Sequence, residues 1–174
     1  MQSLKTTLRP ELNIQNTVTT ADLRQKIDIA SFNQYRYLSS NLDLYKCGYV
    51  KDDSMTGRVT VFASGKLISV GTKSPQQSVQ ELNCAMKLLV KYKLARPVKL
   101  IPKVQNIVAR FDVGRTIPLE KLARILPRCM YEPEQFPGVI YRIKDSTVAL
   151  LFASGRGVLV GARSFEELNS AFLK

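Results

Sequence analysis

The sequence predicts an α+β fold in which two tandem copies of one subdomain lay helices on one face of an antiparallel sheet. Three features carry this prediction: an internal repeat about ninety residues long, runs that alternate apolar and polar residues, and a capped amphipathic stretch closing each copy.

The repeat is legible by eye. Residues 62–74 spell FASGKLISVGTKS and residues 152–164 spell FASGRGVLVGARS, an offset of 90 with seven of thirteen positions identical. Lys66/Arg156 and Lys73/Arg163 keep their charge. At the same offset QNTV (15–18) returns as QNIV (105–108), Ile27 as Ile117 and Gly48 as Gly138. Such a period is too long for a solenoid and suits a duplicated subdomain. The expected organisation is a tail at 1–11, one copy at 12–95 and a second at 96–174, joined near ARPVKLIPK (95–103).

Each copy opens with alternation. Ile14, Asn16 and Val18 share one strand face, as do Val104, Asn106 and Val108. A short helix is expected near 28–36 and near 118–126, the second with Thr116 as a cap and Pro118 in its first turn. Two β-rich runs follow: VTVF (59–62) turns through Ala-Ser-Gly into KLISVGTK, and VALLF (148–152) into RGVLVGAR. Gly65 and Gly155 suit the positive φ of tight hairpins. Ser74 and Gln77, then Ser164 and Glu167, have capping-box spacing. Val79, Leu82, Met86, Leu89 and Val90 form a helical stripe, and the second closing helix spans about ten residues.

Composition narrows the function. The 174 residues carry 26 Lys and Arg against 14 Asp and Glu, a net charge of +12. No histidine is present, which removes His-based nucleophile pairs, His zinc sites and most general-base chemistry. Cys47, Cys84 and Cys129 are far apart and form no CxxC, so they are expected as small apolar residues in a reducing compartment. Neither a secretory leader nor a membrane span is expected. The carboxylates Asp52, Asp53, Glu132, Glu134, Glu166 and Glu167 fall in short polar segments with nothing to gather them at a cleft, so an enzyme is not expected and no cofactor is implied.

One layer of helices closes one core, which leaves the other sheet face bare. Along each final hairpin both faces carry Val, Ile, Leu or Phe, where polar residues are the norm for a solvated face. An apolar face flanked by Lys and Arg implies a large ligand lying on it. Cations recurring at Lys66, Lys73, Arg156 and Arg163 suit a polyanion with its own approximate two-fold axis, namely duplex DNA. Charge is uneven: residues 1–90 carry +4 and residues 91–174 carry +8. An apolar strip cannot read major-groove hydrogen bonds but can lie in a widened minor groove. Asn16 and Asn106 are the polar residues placed to meet base edges there, unless each is bonded to backbone. Phe62 and Phe152 are placed to wedge between base pairs, unless they pack in a core.

The strings MYEPEQFPGVIYRI (130–143), LFASGRGVLVGAR (151–163) and VQNIVARFDV (104–113) resemble the second repeat of the TATA-box-binding protein family, and the resemblance covers about 12–174. It implies a saddle: one ten-stranded antiparallel curved sheet with helices on the convex face. It also implies a general transcription initiation factor that binds promoter DNA in the minor groove, bends it by side-chain insertion and recruits transcription factor IIB and RNA polymerase. By the resemblance, Asn16, Val18, Val70, Asn106, Val108 and Val160 meet base edges, and Tyr45, Phe62, Phe136 and Phe152 are the wedges. Ser64, Lys66, Lys73, Arg142, Ser154, Arg156 and Arg163 meet phosphates. Glu132 and Glu134 fall on the stirrup that docks factor IIB, and Lys87, Lys91 and Lys93 on a helix used by regulators.

Several departures from the family pattern shape the expectation. The fourth wedge is Tyr45, or Leu42 if the alignment shifts, where the family has Phe. Val70 and Val160 stand where the family usually places Thr, removing a hydroxyl from each half. Segment 41–57 lacks the proline-containing stirrup on the side where factor IIA docks. Altered or relaxed TATA preference is therefore expected. The alternative is a related scaffold or competitor that keeps its protein contacts and binds DNA weakly. A pair of RNA-binding RRM-like sheets is disfavoured by the absence of their signature string. Self-association through the bare face is a further expectation. The compartment is a nucleus, or cytoplasm in an archaeon.

Overall fold

In a computed structural model, residues 11–144 and 146–173 are described. Of the tail expected at 1–11, all but Glu11 lies outside them. The fold class is α+β, and the described residues fall into two compact units: Gln15–Ile107, and the remainder.

The first copy contributes β1 (Asn13–Asp22), β2 (Leu38–Ser40), β3 (Cys47–Val50), β4 (Arg58–Phe62), β5 (Lys66–Thr72) and α1 (Pro75–Lys91). Its strands lie in the order β2-β3-β4-β5-β1. The second contributes β6 (Lys103–Asp112), α2 (Leu119–Ile125), β7 (Cys129–Met130), β8 (Gly138–Arg142), β9 (Val148–Phe152), β10 (Arg156–Ala162) and α3 (Phe165–Phe172). Here the order is β6-β10-β9-β8-β7. The hairpin and meander pairings are antiparallel in both copies.

The duplication extends to single hydrogen bonds. Leu23 N donates to Gly65 O at 2.9 Å, and Val113 N to Gly155 O at 3.0 Å. Ile27 N reaches Ala63 O at 3.0 Å, and Ile117 N reaches Ala153 O at 2.9 Å. The hairpin glycines Gly65 and Gly155 have φ of 92° and 88°.

Strand register corrects one sequence match. Cys47 lies opposite Phe62, whereas Gly138 lies opposite Phe152. The counterpart of Gly138 is therefore Cys47 and not Gly48. One residue is gained before β7 and lost again between β8 and β9, so the offset is 91 in that stretch and 90 elsewhere. Gly48 serves the core instead: the buried Phe32 ring occupies the space a side chain would take. In the second copy Phe111 lies over Gly157 in the same manner, where the first copy has Ala21 and Leu67.

The helix expected near 28–36 is only a 3₁₀ turn, Phe32–Gln34. Local side chains compete with helix formation here. Asp28 Oδ1 accepts from Ala30 N at 3.1 Å, Ser31 Oγ donates to Asp28 O at 3.0 Å, and Asn33 exchanges two bonds with Ser40. The second short helix forms, but its N-cap is Pro118 and no side chain caps it, so Thr116 does not act as expected.

The closing helices start as their spacing predicts. Ser74 Oγ accepts from Gln77 N at 3.1 Å, and Gln77 Oε1 accepts from Lys73 N at 3.2 Å. Ser164 and Glu167 repeat the arrangement, with Glu167 Oε2 accepting from Arg163 N at 2.8 Å. The buried stripe of α1 is Ser78, Glu81, Leu82, Ala85 and Leu89. Val79, Met86 and Val90 flank it half-buried rather than lying at its centre. Glu81 is buried because Gly57 N donates to its Oε1 at 2.7 Å and Ser69 Oγ to its Oε2 at 3.3 Å. Among the described residues, no helix is long and apolar enough to cross a membrane.

Candidate nucleic-acid interface

The helices take one parity of each strand. Val59, Val61, Leu67 and Ser69 are buried in the first copy, and Val139, Ala149 and Leu159 in the second. The other parity forms a helix-free face. In the first copy, cross-strand pairing lines up Ser39, Tyr49, Thr60, Ile68 and Thr20 in one row. In the second, Met130, Ile140, Leu150 and Val158 make the corresponding row. Nearly all are half-buried, with Met130 and Ser39 exposed. The first row carries hydroxyls and the second carries none. Neither row was singled out from the sequence; parity counted outward from Asn16 finds Thr20, and pairing is needed for the rest.

Asn16 is half-buried on this face, and its Oδ1 accepts from Gly71 N at 2.8 Å. The bond uses the acceptor end of the amide and leaves the two-donor end to point elsewhere. A bulge makes this possible: Thr17 pairs with Thr72 and Thr19 with Ser69, so Val18 faces two residues, Val70 and Gly71. Gly71 has φ of 94°, a conformation that turns its N–H toward Asn16 and that side-chain-bearing residues rarely adopt. Asn106 is likewise half-buried and lies in the same unit as Asn16. Val18, Val70, Val108 and Val160 are all half-buried on helix-free faces.

The aromatic candidates divide. Phe136 and Phe152 form a pair, ring centroids 5.7 Å apart and tilted by 59°. Phe62 is half-buried at the end of β4. Tyr45 is 59% exposed and Leu42 43% exposed. Loop geometry settles which of the two matches Phe136. Tyr45 N and Leu44 N both donate to Asn41 O, at 2.8 and 3.3 Å, and Phe136 N and Gln135 N both donate to Glu132 O at 2.9 Å. Tyr45 is therefore the counterpart, and the 41–45 loop keeps the backbone turn of 132–136 without its proline.

Beside each Phe at the strand end lies an equivalent groove. One, about 520 Å³, is lined by Thr20, Asp22, Phe62, Ser64, Lys66 and Ile68 among others. The other, about 750 Å³, is lined by Arg110, Asp112, Phe152, Ser154, Arg156 and Val158 among others. These six positions match one for one at the offset of 90. Arg110 and Lys103 join the cations at these grooves, a role not predicted from the sequence. Lys66, Lys73, Arg142, Arg156 and Arg163 are exposed, as are Ser64 and Ser154. Arg156 Nε lies 3.6 Å from Asp112 Oδ2, both largely in solvent, and an exposed pair of this kind is weak enough to exchange for a phosphate.

On this face a hydrogen bond with the Cys47 thiol raises the pKa of the Tyr49 phenol, assisted by desolvation. Burial pushes the Cys84 and Cys129 thiols up. Away from the face, Glu132 and Glu134 are exposed in the 132–136 turn, and Lys87, Lys91 and Lys93 are exposed on α1 and just past its end.

A repeated α+β unit with a helix-free, cation-flanked face, apolar in the second copy and hydroxyl-bearing in the first, defines a two-repeat binding protein. The family described as "Transcription factor TFIID (or TATA-binding protein, TBP)" matches residues 11–92 and 101–174. The TATA-box-binding protein of Cenarchaeum symbiosum is 40% identical over 162 residues, covering 92% of this chain and 89% of that one. That of Pyrococcus furiosus is 37% identical over 169 residues, covering 88% and 82%. The Methanococcus jannaschii TBP structure superposes with a TM-score of 0.81 at 27% identity, covering 94% of each chain. The chain belongs to the TATA-box-binding protein family, which is non-enzymatic.

Proposed function

We propose that this chain is a general transcription initiation factor whose helix-free faces bind promoter duplex DNA through the minor groove. The single observation carrying this reading is the helix-free face repeated in both copies, with a Phe, a Ser and a cation at the same place in each. Minor-groove width and donor pattern suit Asn16 and Asn106 as base-edge contacts, with Val18 and Val108 beside them and Val70 and Val160 packing on sugars and bases. Phe136 and Phe152 insert and bend the duplex, with Phe62 at the matching strand end of the first copy, and unstacking costs a few kcal/mol per step that wider contact offsets. Lys66, Lys73, Arg142, Arg156, Arg163, Ser64 and Ser154 hold phosphates.

Glu132 and Glu134 dock transcription factor IIB, which brings RNA polymerase, and α1 with Lys87, Lys91 and Lys93 meets regulators. The 41–45 turn, intact without proline, keeps a surface for factor IIA. Free protein self-associates through the same apolar faces, since uncovered patches of this kind seek partners. The relatives cited are archaeal, which favours cytoplasm as the compartment.

TATA preference is relaxed in this reading, because Val70 and Val160 offer methyl groups and no hydroxyl. Competition band shifts between TATA-containing and scrambled duplexes, with and without factor IIB, test it. A weak preference for TATA and a further shift by factor IIB that Glu132→Lys with Glu134→Lys removes are expected. Undiminished TATA preference would refute the relaxed reading. The second reading, a scaffold with weak DNA binding, is favoured by Tyr45 standing apart in the first copy; failure of any duplex to shift while factor IIB still binds would select it.

A further inference from the structure

We propose that Cys47 makes the two repeats unequal as wedges, so that the second repeat kinks the duplex and the first does not. The inference rests on the minor-groove reading above and assigns a specificity-determining role to a residue outside its contact set.

Gly138 leaves room for the second pair. It lies opposite Phe152, and a Cβ built on it would stand 2.9 Å from Phe136 Cε1 and 3.1 Å from Phe152 Cε1. With a side chain there, the edges of both rings would have to shift by a few tenths of an ångström. The rings close over the space that glycine leaves, and the pair is held ready on one face.

The first repeat has the same register with a different residue. Cys47 lies opposite Phe62, two positions after Tyr45, as Gly138 follows Phe136. Register puts the Cys47 side chain at the position that Gly138 leaves open, and the residue is buried. Tyr45 stands 59% exposed, where Phe136 packs against Phe152. A phenol inserted between base pairs also has to strip its hydroxyl of water. The surrounding rows point the same way: the first copy's row carries hydroxyls at Ser39, Thr60 and Thr20, and the second copy's row is Met130, Ile140, Leu150 and Val158. A preformed pair on an apolar bed inserts without reordering two aromatic side chains, and the other half has no such pair.

The test uses the full chain on a duplex carrying 2-aminopurine at each end step of the site in separate labels, because unstacking makes this base brighter. Total brightening is read for wild type and variants at saturating protein, after a band shift confirms binding. Phe152→Ala is expected to abolish the brightening, and Phe62→Ala to change it by less than about 1.5-fold, since only the second repeat opens a step. Cys47→Gly with Tyr45→Phe is expected to raise it about twofold and make the increase depend on Phe62. Equal losses from Phe62→Ala and Phe152→Ala would overturn the proposal while leaving minor-groove binding in place. Absence of duplex binding by the wild type would overturn the underlying reading, and this proposal with it.

Discussion

Asn16 Oδ1 accepts the Gly71 amide proton at 2.8 Å, across a bulge that exists because Gly71 has a positive φ. This contact orients the amide: its oxygen is committed to the protein, and its two N–H groups are left to donate. Adenine N3 and thymine O2 are acceptors, so the polarity of the side chain is fixed before any DNA arrives.

Changing the donor end should therefore matter more than changing the size of the side chain. Asn16→Asp keeps an oxygen for Gly71 and replaces two donors by an anion facing the duplex. Asn16→Ala removes both ends. Band-shift affinity at fixed salt is expected to fall roughly tenfold for Ala, within the ~1–3 kcal/mol typical of a base-edge contact, and further for Asp.

Gly71→Ala tests the bulge itself. The added Cβ would meet Gly57 Cα at 3.0 Å and would hold an alanine at a φ of 94°. The strain amounts to about 1–2 kcal/mol. In a chain of this size the thermal midpoint should drop by roughly 3–6 °C, with DNA affinity falling as Asn16 loses its orientation.

Phosphate contacts predict a salt signature. Each neutralised phosphate steepens the fall of log K with log salt by about 0.9. Replacing Lys66, Lys73, Arg156 and Arg163 together by Gln should flatten the slope by about 3 to 4 while circular dichroism stays unchanged, since all four side chains are exposed. An unchanged slope would place these cations away from the duplex.

Much of this was legible in the sequence, for identifiable reasons. Capping serines, hairpin glycines and strand parity act within a few residues, so Ser74, Ser164, Gly65 and the face shared by Asn16 and Val18 are read correctly from local pattern. The 28–36 segment misleads because Asp28 and Asn33 divert the backbone into turns, an outcome set by Ser40, seven residues beyond Asn33. The Gly48/Gly138 match misleads because two glycines coincide at the offset of 90 while the strands pair at 91. Only cross-strand register shows that one glycine makes room for Phe32 and the other for the Phe136 and Phe152 rings. Glu81 escapes notice because its partners, Gly57 and Ser69, are remote in sequence.

The most direct measurement replaces every A·T pair of a bound site by inosine·cytosine. This exchange rewrites the major groove and leaves the minor groove's acceptors as they were, whereas guanine·cytosine adds an N2 amino group there. If the helix-free faces sit in the minor groove, inosine·cytosine duplexes should bind within about twofold of the original and guanine·cytosine duplexes at least about tenfold more weakly. Loss of binding on the inosine·cytosine duplex would put the contacts in the major groove and contradict the account.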